Sequence, residues 1–122
     1  METTTITYSF VRVSGEPGTH GLLGIVLGFV SAEWGIRVRV FDLNKKSVSV
    51  VSLEDCRLVP HSNIWHGVTS LWANHSEFGD GIIIFERRPR DVLEVQLQKI
   101  GGAATSNWLP FTEVTVFGPR PA

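Results

Sequence analysis

Apolar and polar residues alternate in twos over much of this chain. Ile6, Tyr8 and Phe10 alternate with Thr5, Thr7 and Ser9, which predicts a half-buried strand over residues 4–13. Residues 14–21 (Ser-Gly-Glu-Pro-Gly-Thr-His-Gly) concentrate residues that break regular structure and read as a loop. Residues 22–30 follow as a strand apolar on both faces, with Gly24, Val26 and Gly28 on one of them. Small residues there let another strand cross close by, as at the corner of a small barrel. Ile36, Val38 and Val40 then alternate with Arg37 and Arg39, and Val48 and Val50 alternate with Ser47 and Ser49. Residues 42–46 join these runs into a hairpin with its charges outward. Residues 53–55 make one short turn into a brief strand at 56–59, which Pro60 ends.

The rhythm changes after Ser62. Ile64, Trp65, Val68, Leu71 and Trp72 fall at helical offsets, and Ser62 can cap the first turn, so the pattern predicts an amphipathic helix over 63–74 in which Trp65 and Trp72 pin the helix to the sheet. Residues 76–81 then read as a loop, 81–85 as a strand and 86–91 as a charged turn. Leu93, Val95 and Leu97 alternate with Glu94, Gln96 and Gln98, 101–106 is a turn, and the last strands fall at 108–109 and 114–117 before a tail at 118–122. The expected fold is mainly β (α+β): an antiparallel small barrel or highly curved sheet with one short helix, about 63–74, packed on it.

An offset of 57 residues lays the second half on the first. It pairs Gly24-Ile25-Val26-Leu27 with Gly81-Ile82-Ile83-Ile84, and Ile36, Val38 and Val40 with Leu93, Val95 and Leu97. One added residue then aligns 53–59 with 111–117. Two readings stay open: one domain, 1–122, whose meanders share a loop rhythm, or two halves (4–60 and 76–118) joined by a helical segment 61–75. The first half, roughly residues 8–60, resembles SH3-like small barrels of the kind found in KOW and Tudor modules. The resemblance is carried by the strand Gly21-Leu22-Leu23-Gly24-Ile25-Val26, the hairpin 36–50 and the turn Leu53-Glu54-Asp55 before a closing strand. It implies an SH3-like barrel, duplicated on the second reading, whose aromatic and charged loop residues meet peptides or RNA. It transfers no site residue.

Composition narrows the function classes. The formal charge of −1 supplies no global field toward nucleic acid or an anionic membrane, and the longest apolar run, 22–30, is about half of what a spanning helix needs. The N-terminus lacks the basic and apolar regions of a secretory signal, and Cys56 is the one cysteine in the sequence, so a cytoplasmic protein without an internal disulfide is expected. Alternation with Leu58 turns Cys56 inward, as packing rather than a nucleophile.

Several constellations invite a test. His61, His66 and His75 lie in one segment near Glu77 and Asp80, but their spacings of five and nine do not place two ligands together on a helix, so no metal and no cofactor is expected. The glycine-rich loop lacks a phosphate-cradling pattern. Arg87, Arg88 and Arg90 surround Pro89, a concentration of guanidinium groups suited to an anion, which Arg37 and Arg39 extend. Trp34, in a turn before Gly35, is the tryptophan best placed for a contact surface. The leading expectation is a non-enzymatic binding module for a protein partner or for a second copy of itself, through Trp34, Arg37, Arg39, Arg87, Arg88 and Arg90. The alternatives are nucleic-acid binding through the arginine turn, which the charge balance disfavours, and a small enzyme or ligand-binding barrel using His20 or the histidines of 61–75.

Overall fold

The computed structural model describes residues 6–15, 21–33 and 35–119. The chain divides into two compact units, Met1–Val59 and Pro60–Ala122. The first holds β1 (Phe10–Val13), β2 (Leu23–Ala32), β3 (Gly35–Asp42), β4 (Ser47–Ser52) and β5 (Cys56–Val59). The second holds β6 (Trp72–His75), β7 (Gly79–Arg87), β8 (Glu94–Lys99), β9 (Leu109–Pro110) and β10 (Val114–Gly118). Every pairing is antiparallel.

The two sheets run β4-β3-β2-β1-β5 and β9-β8-β7-β6-β10, so each is a four-strand meander whose fifth strand returns to pair with the first. A single 3₁₀ turn, Leu53–Asp55 or Phe111–Glu113, immediately precedes the returning strand. Both sheets have two edges, so of the two expected forms, a small barrel or a highly curved sheet, the closed barrel is not formed.

The register repeats as well. β2 bulges between Val26 and Gly28 against β3, and β7 bulges between Ile83 and Phe85 against β8, positions 57 residues apart. Gly24 and Gly81 share that spacing and a physical reason for being glycine. A Cβ on Gly24 would lie 2.3 Å from the Phe41 carbonyl oxygen, and one on Gly81 would lie 2.7 Å from that of Gln98.

Val38, Val40 and Val51 build the first unit's core with Ile6, Val11, Val13, Leu22 and Val26, and Phe29, Leu53 and Cys56 pack against it. The β3–β4 connection is fixed by Asp42, whose Oδ1 accepts from the amides of Asn44 (2.8 Å) and Lys45 (3.1 Å). Ala73, Ile83, Val95, Leu97, Val114 and Val116 are the buried apolar strand side chains of the second unit.

Three expectations are corrected. Residues 63–74 are not a helix: a 3₁₀ turn covers His61–Asn63, and Trp72 already belongs to β6. Gly67 (φ 87°) and Ser70 (φ 76°) are left-handed, which no right-handed helix can contain, and the backbone bonds go elsewhere. Glu86 takes the amides of Gly67 (3.2 Å) and Val68 (3.1 Å), while Ser70 and Leu71 exchange bonds with Ile83. Ile64, Val68 and Leu71 are buried all the same, so burial in an irregular segment imitated helical spacing. The first strand begins at Phe10 rather than residue 4, since Tyr8 adopts φ 67° and Ser9 N–H closes a turn onto Ile6. Cys56 is half-buried, and Leu58 on the same strand is exposed, so that strand has no fully dry face.

Candidate functional site

The arginines proposed from sequence separate on inspection. Arg37 and Arg39 stand on the outer face of β3 in the first unit, where Arg37 donates from Nη2 to the Val50 carbonyl at 3.2 Å. In the second unit Arg87 is the last residue of β7, and Arg88 follows it as the residue that opens the Pro89–Asp91 turn. Arg87 lies 4.2 Å over the Trp108 ring and donates from Nε to Glu94 at 2.8 Å. Arg88 lies 5.1 Å over the Trp65 ring. Arg90 occupies a tight turn in which Val92 N–H bonds the Pro89 carbonyl and both Arg90 (φ 54°) and Asp91 (φ 64°) are left-handed. Arg87 and Arg88 therefore form two cation–π pairs, and Arg90 sits in a strained turn. Trp34 and His20 lie outside the described residues.

The histidine segment resolves into separate roles. His75 is buried, and its Nδ1 accepts from the amides of Glu77 (3.2 Å) and Phe78 (3.3 Å). Because Nδ1 accepts, the proton sits on Nε2, which donates to Glu113 at 3.1 Å. His75 is thus the internal splice of the β6–β7 turn. His61 stacks 5.4 Å from Phe111 and edges a recess of about 170 Å³ with Asp91 and Leu93. Burial pushes its imidazole below the ordinary value, against a smaller upward pull from the Val114 backbone. His66 is exposed. Among the described residues no cluster of three or more His, Cys, Asp or Glu side chains could hold a metal. Cys56 is likewise unsuited to attack, since burial and the neighbouring Asp55 both raise its thiol pKa.

The feature sequence reading missed is Phe85. It closes the run Ile82-Ile83-Ile84-Phe85, and strict alternation would place it inward with Ile83. The bulge between Ile83 and Phe85 inserts one residue and reverses that parity, pairing Phe85 with Gln96 on the outer face. At 59% exposure it is the most exposed large hydrophobic side chain among the described residues. Two pairs along the ladder, past Glu86 and Val95, stand Arg87 and Glu94, and Trp108 enters beside them ahead of Leu109, the partner of Val95. Further along the same sheet Trp72, Ile82 and Gln98 form a cross-strand row that, with residues 99–102, borders an open recess of about 410 Å³. Apolar contact area therefore alternates with polar side chains across one sheet face. The Glu94 bond uses Arg87 Nε, which leaves the terminal amino groups of that guanidinium without a hydrogen bond among the described residues.

In comparison with known proteins no family model matches this chain, and no similar curated protein or solved structure was found. Among the described residues no helix is long and apolar enough to cross a membrane.

Proposed function

We propose that both units are SH3-like folds and that the protein is a non-enzymatic binding module for a protein partner. The meander, the 3₁₀ turn before the last strand and that strand's return to the first support the SH3-like reading. The binding surface is the outer face of the second sheet, and the observation that carries it is Phe85. A phenylalanine turned outward by a bulge, beside a guanidinium braced on tryptophan, is costly to leave in water and suits an extended segment. Its ligand offers an apolar side chain to Phe85 and a carboxylate or carbonyl to the free end of Arg87.

Selection from a displayed peptide library, followed by calorimetry on the winners, tests this. Phe85→Ser is expected to weaken the selected peptides at least about tenfold, the effect of losing one buried aromatic anchor, with chemical-shift changes centred on Arg87 and Gln96. Peptides that bind Phe85→Ser as well as wild type would sink the assignment. A parallel salt titration with oligonucleotides addresses nucleic acid, whose affinity would fall steeply with added salt.

A further inference from the structure

The first sheet ends in β4, whose sequence Ser-Val-Ser-Val-Val-Ser holds no charge and no proline and pairs with β3 without a bulge. Natural sheets guard such edges with lysine, proline, bulges or a covering loop, because bare N–H and C=O groups template another strand. The direction of the bare groups follows from the ladder. Leu43 N–H bonds the Leu23 carbonyl, so odd residues of β3 address β2 and even ones address β4. Val38 and Val40 then exchange bonds with Val51 and Ser49, and the backbone groups of Val48 and Val50 point away from the sheet. The side chains of Val48 and Val50 share one face and are 50% and 43% exposed.

We propose that β4 is the seat of a two-fold homodimer, formed by antiparallel pairing with β4 of a second copy about Ser49. Self-complementarity selects this occupant. With Ser49 opposite its own copy, Val48 falls opposite Val50 and Val50 opposite Val48, so the outward backbone groups exchange bonds and four exposed valines meet on one face. The same axis brings Lys45 and Lys46, just before each strand, alongside Glu54 and Asp55, just beyond the other, so opposite charges approach at both ends. A two-fold interface requires a surface that matches itself in this way; pairing with a foreign strand requires none of it. Arg37 gives up its bond to the Val50 carbonyl as the strands pair. The surface lies in the first unit and is independent of the peptide site on the second.

Sedimentation velocity across a concentration series up to millimolar is the test. Wild type is expected to move from 13.5 kDa toward twice that mass as concentration rises. The double variant Val48→Lys/Val50→Lys is expected to stay monomeric with an unchanged thermal midpoint, since both side chains are already in solvent. In a Cys56→Ser background, Ser49→Cys is expected to form a symmetric disulfide under mild oxidation, because directly opposed residues of a non-bonded pair sit about 4.5 Å apart at Cα. Ser47→Cys, opposed by residue 51 of the second copy, is not. A wild type that stays at 13.5 kDa throughout, a double-lysine variant that dimerises as well as wild type, or equal cross-linking of the two cysteine variants would each overturn the proposal. If the lysine variant fails to fold, the cysteine pair decides alone.

Discussion

The two units share strand order, bulge position and the glycine that lets β2 and β7 approach their neighbours, yet their outer faces differ in kind. Where the second unit presents Phe85, the first has Gly28, over which a Cβ would meet nothing within 4 Å. Where the second has Glu94 and Gln96, the first has Arg37 and Arg39. The second sheet closes on the two-residue strand β9 beside Trp108; the first closes on the longer, uncharged β4. Shared positions are those whose side chains or lack of them meet backbone inside the sheet. Divergent positions face water, where a change costs the fold little and alters what the surface can hold.

That division is open to direct attack. The largest effect is expected at the shared glycine: Gly24→Ala forces a Cβ against the Phe41 carbonyl and Val40, and should cost about 3 kcal/mol or more, with Gly81→Ala nearer 2 and Gly28→Ala close to neutral. Denaturant midpoints that ranked the three equally would break the comparison. Next comes Glu86→Gln, which weakens the two amide bonds holding the irregular segment and should cost about 1–2 kcal/mol. Faster hydrogen exchange at the Val68 amide would place the loss in that segment.

A smaller change of opposite sign is expected from Asp91→Gly. This left-handed turn lies between the second unit's second and third strands, and relieving φ 64° at Asp91 should stabilise it by about 0.5–1 kcal/mol. An unchanged or lower midpoint would show that the aspartate contributes more than its backbone strain removes. The least effect concerns His61. Its folded imidazole titrates below the ordinary value, so the unfolded chain takes up the proton first. Stability is therefore complete above about pH 6.5 and erodes as pH falls toward the folded value. His61→Gln should flatten the pH dependence of the midpoint in that window while leaving it unchanged above; a parallel profile would remove His61 from the account.

Much of the frame was legible in residue alternation. Val38 and Val40 against Arg37 and Arg39, and Val95 and Leu97 against Gln96 and Gln98, place core and surface correctly because neighbouring residues of a strand must face opposite ways. The same rule misplaced Phe85, since a bulge is a register event between two strands and leaves no mark on either one alone. It also failed at 63–74, where Ile64, Val68 and Leu71 are buried from an irregular backbone whose amides are held by Glu86 and Ile83. His75 was drawn toward chemistry by its neighbours in sequence, whereas its nitrogens are spent on a turn and on Glu113. Arg87 and Arg88 lie over different tryptophans, and Arg87 also bonds Glu94, partners that their closeness in sequence does not reveal.

Sequence by itself determined that this chain forms sheet and which residues of β3 and β8 are dry, because those properties depend on chemistry within a few residues. Tertiary structure decided which strands pair, where a bulge reverses the faces and which edge is left open. Those outcomes depend on backbone bonds between segments far apart in the chain, and they set where Phe85, Val48 and Val50 meet water.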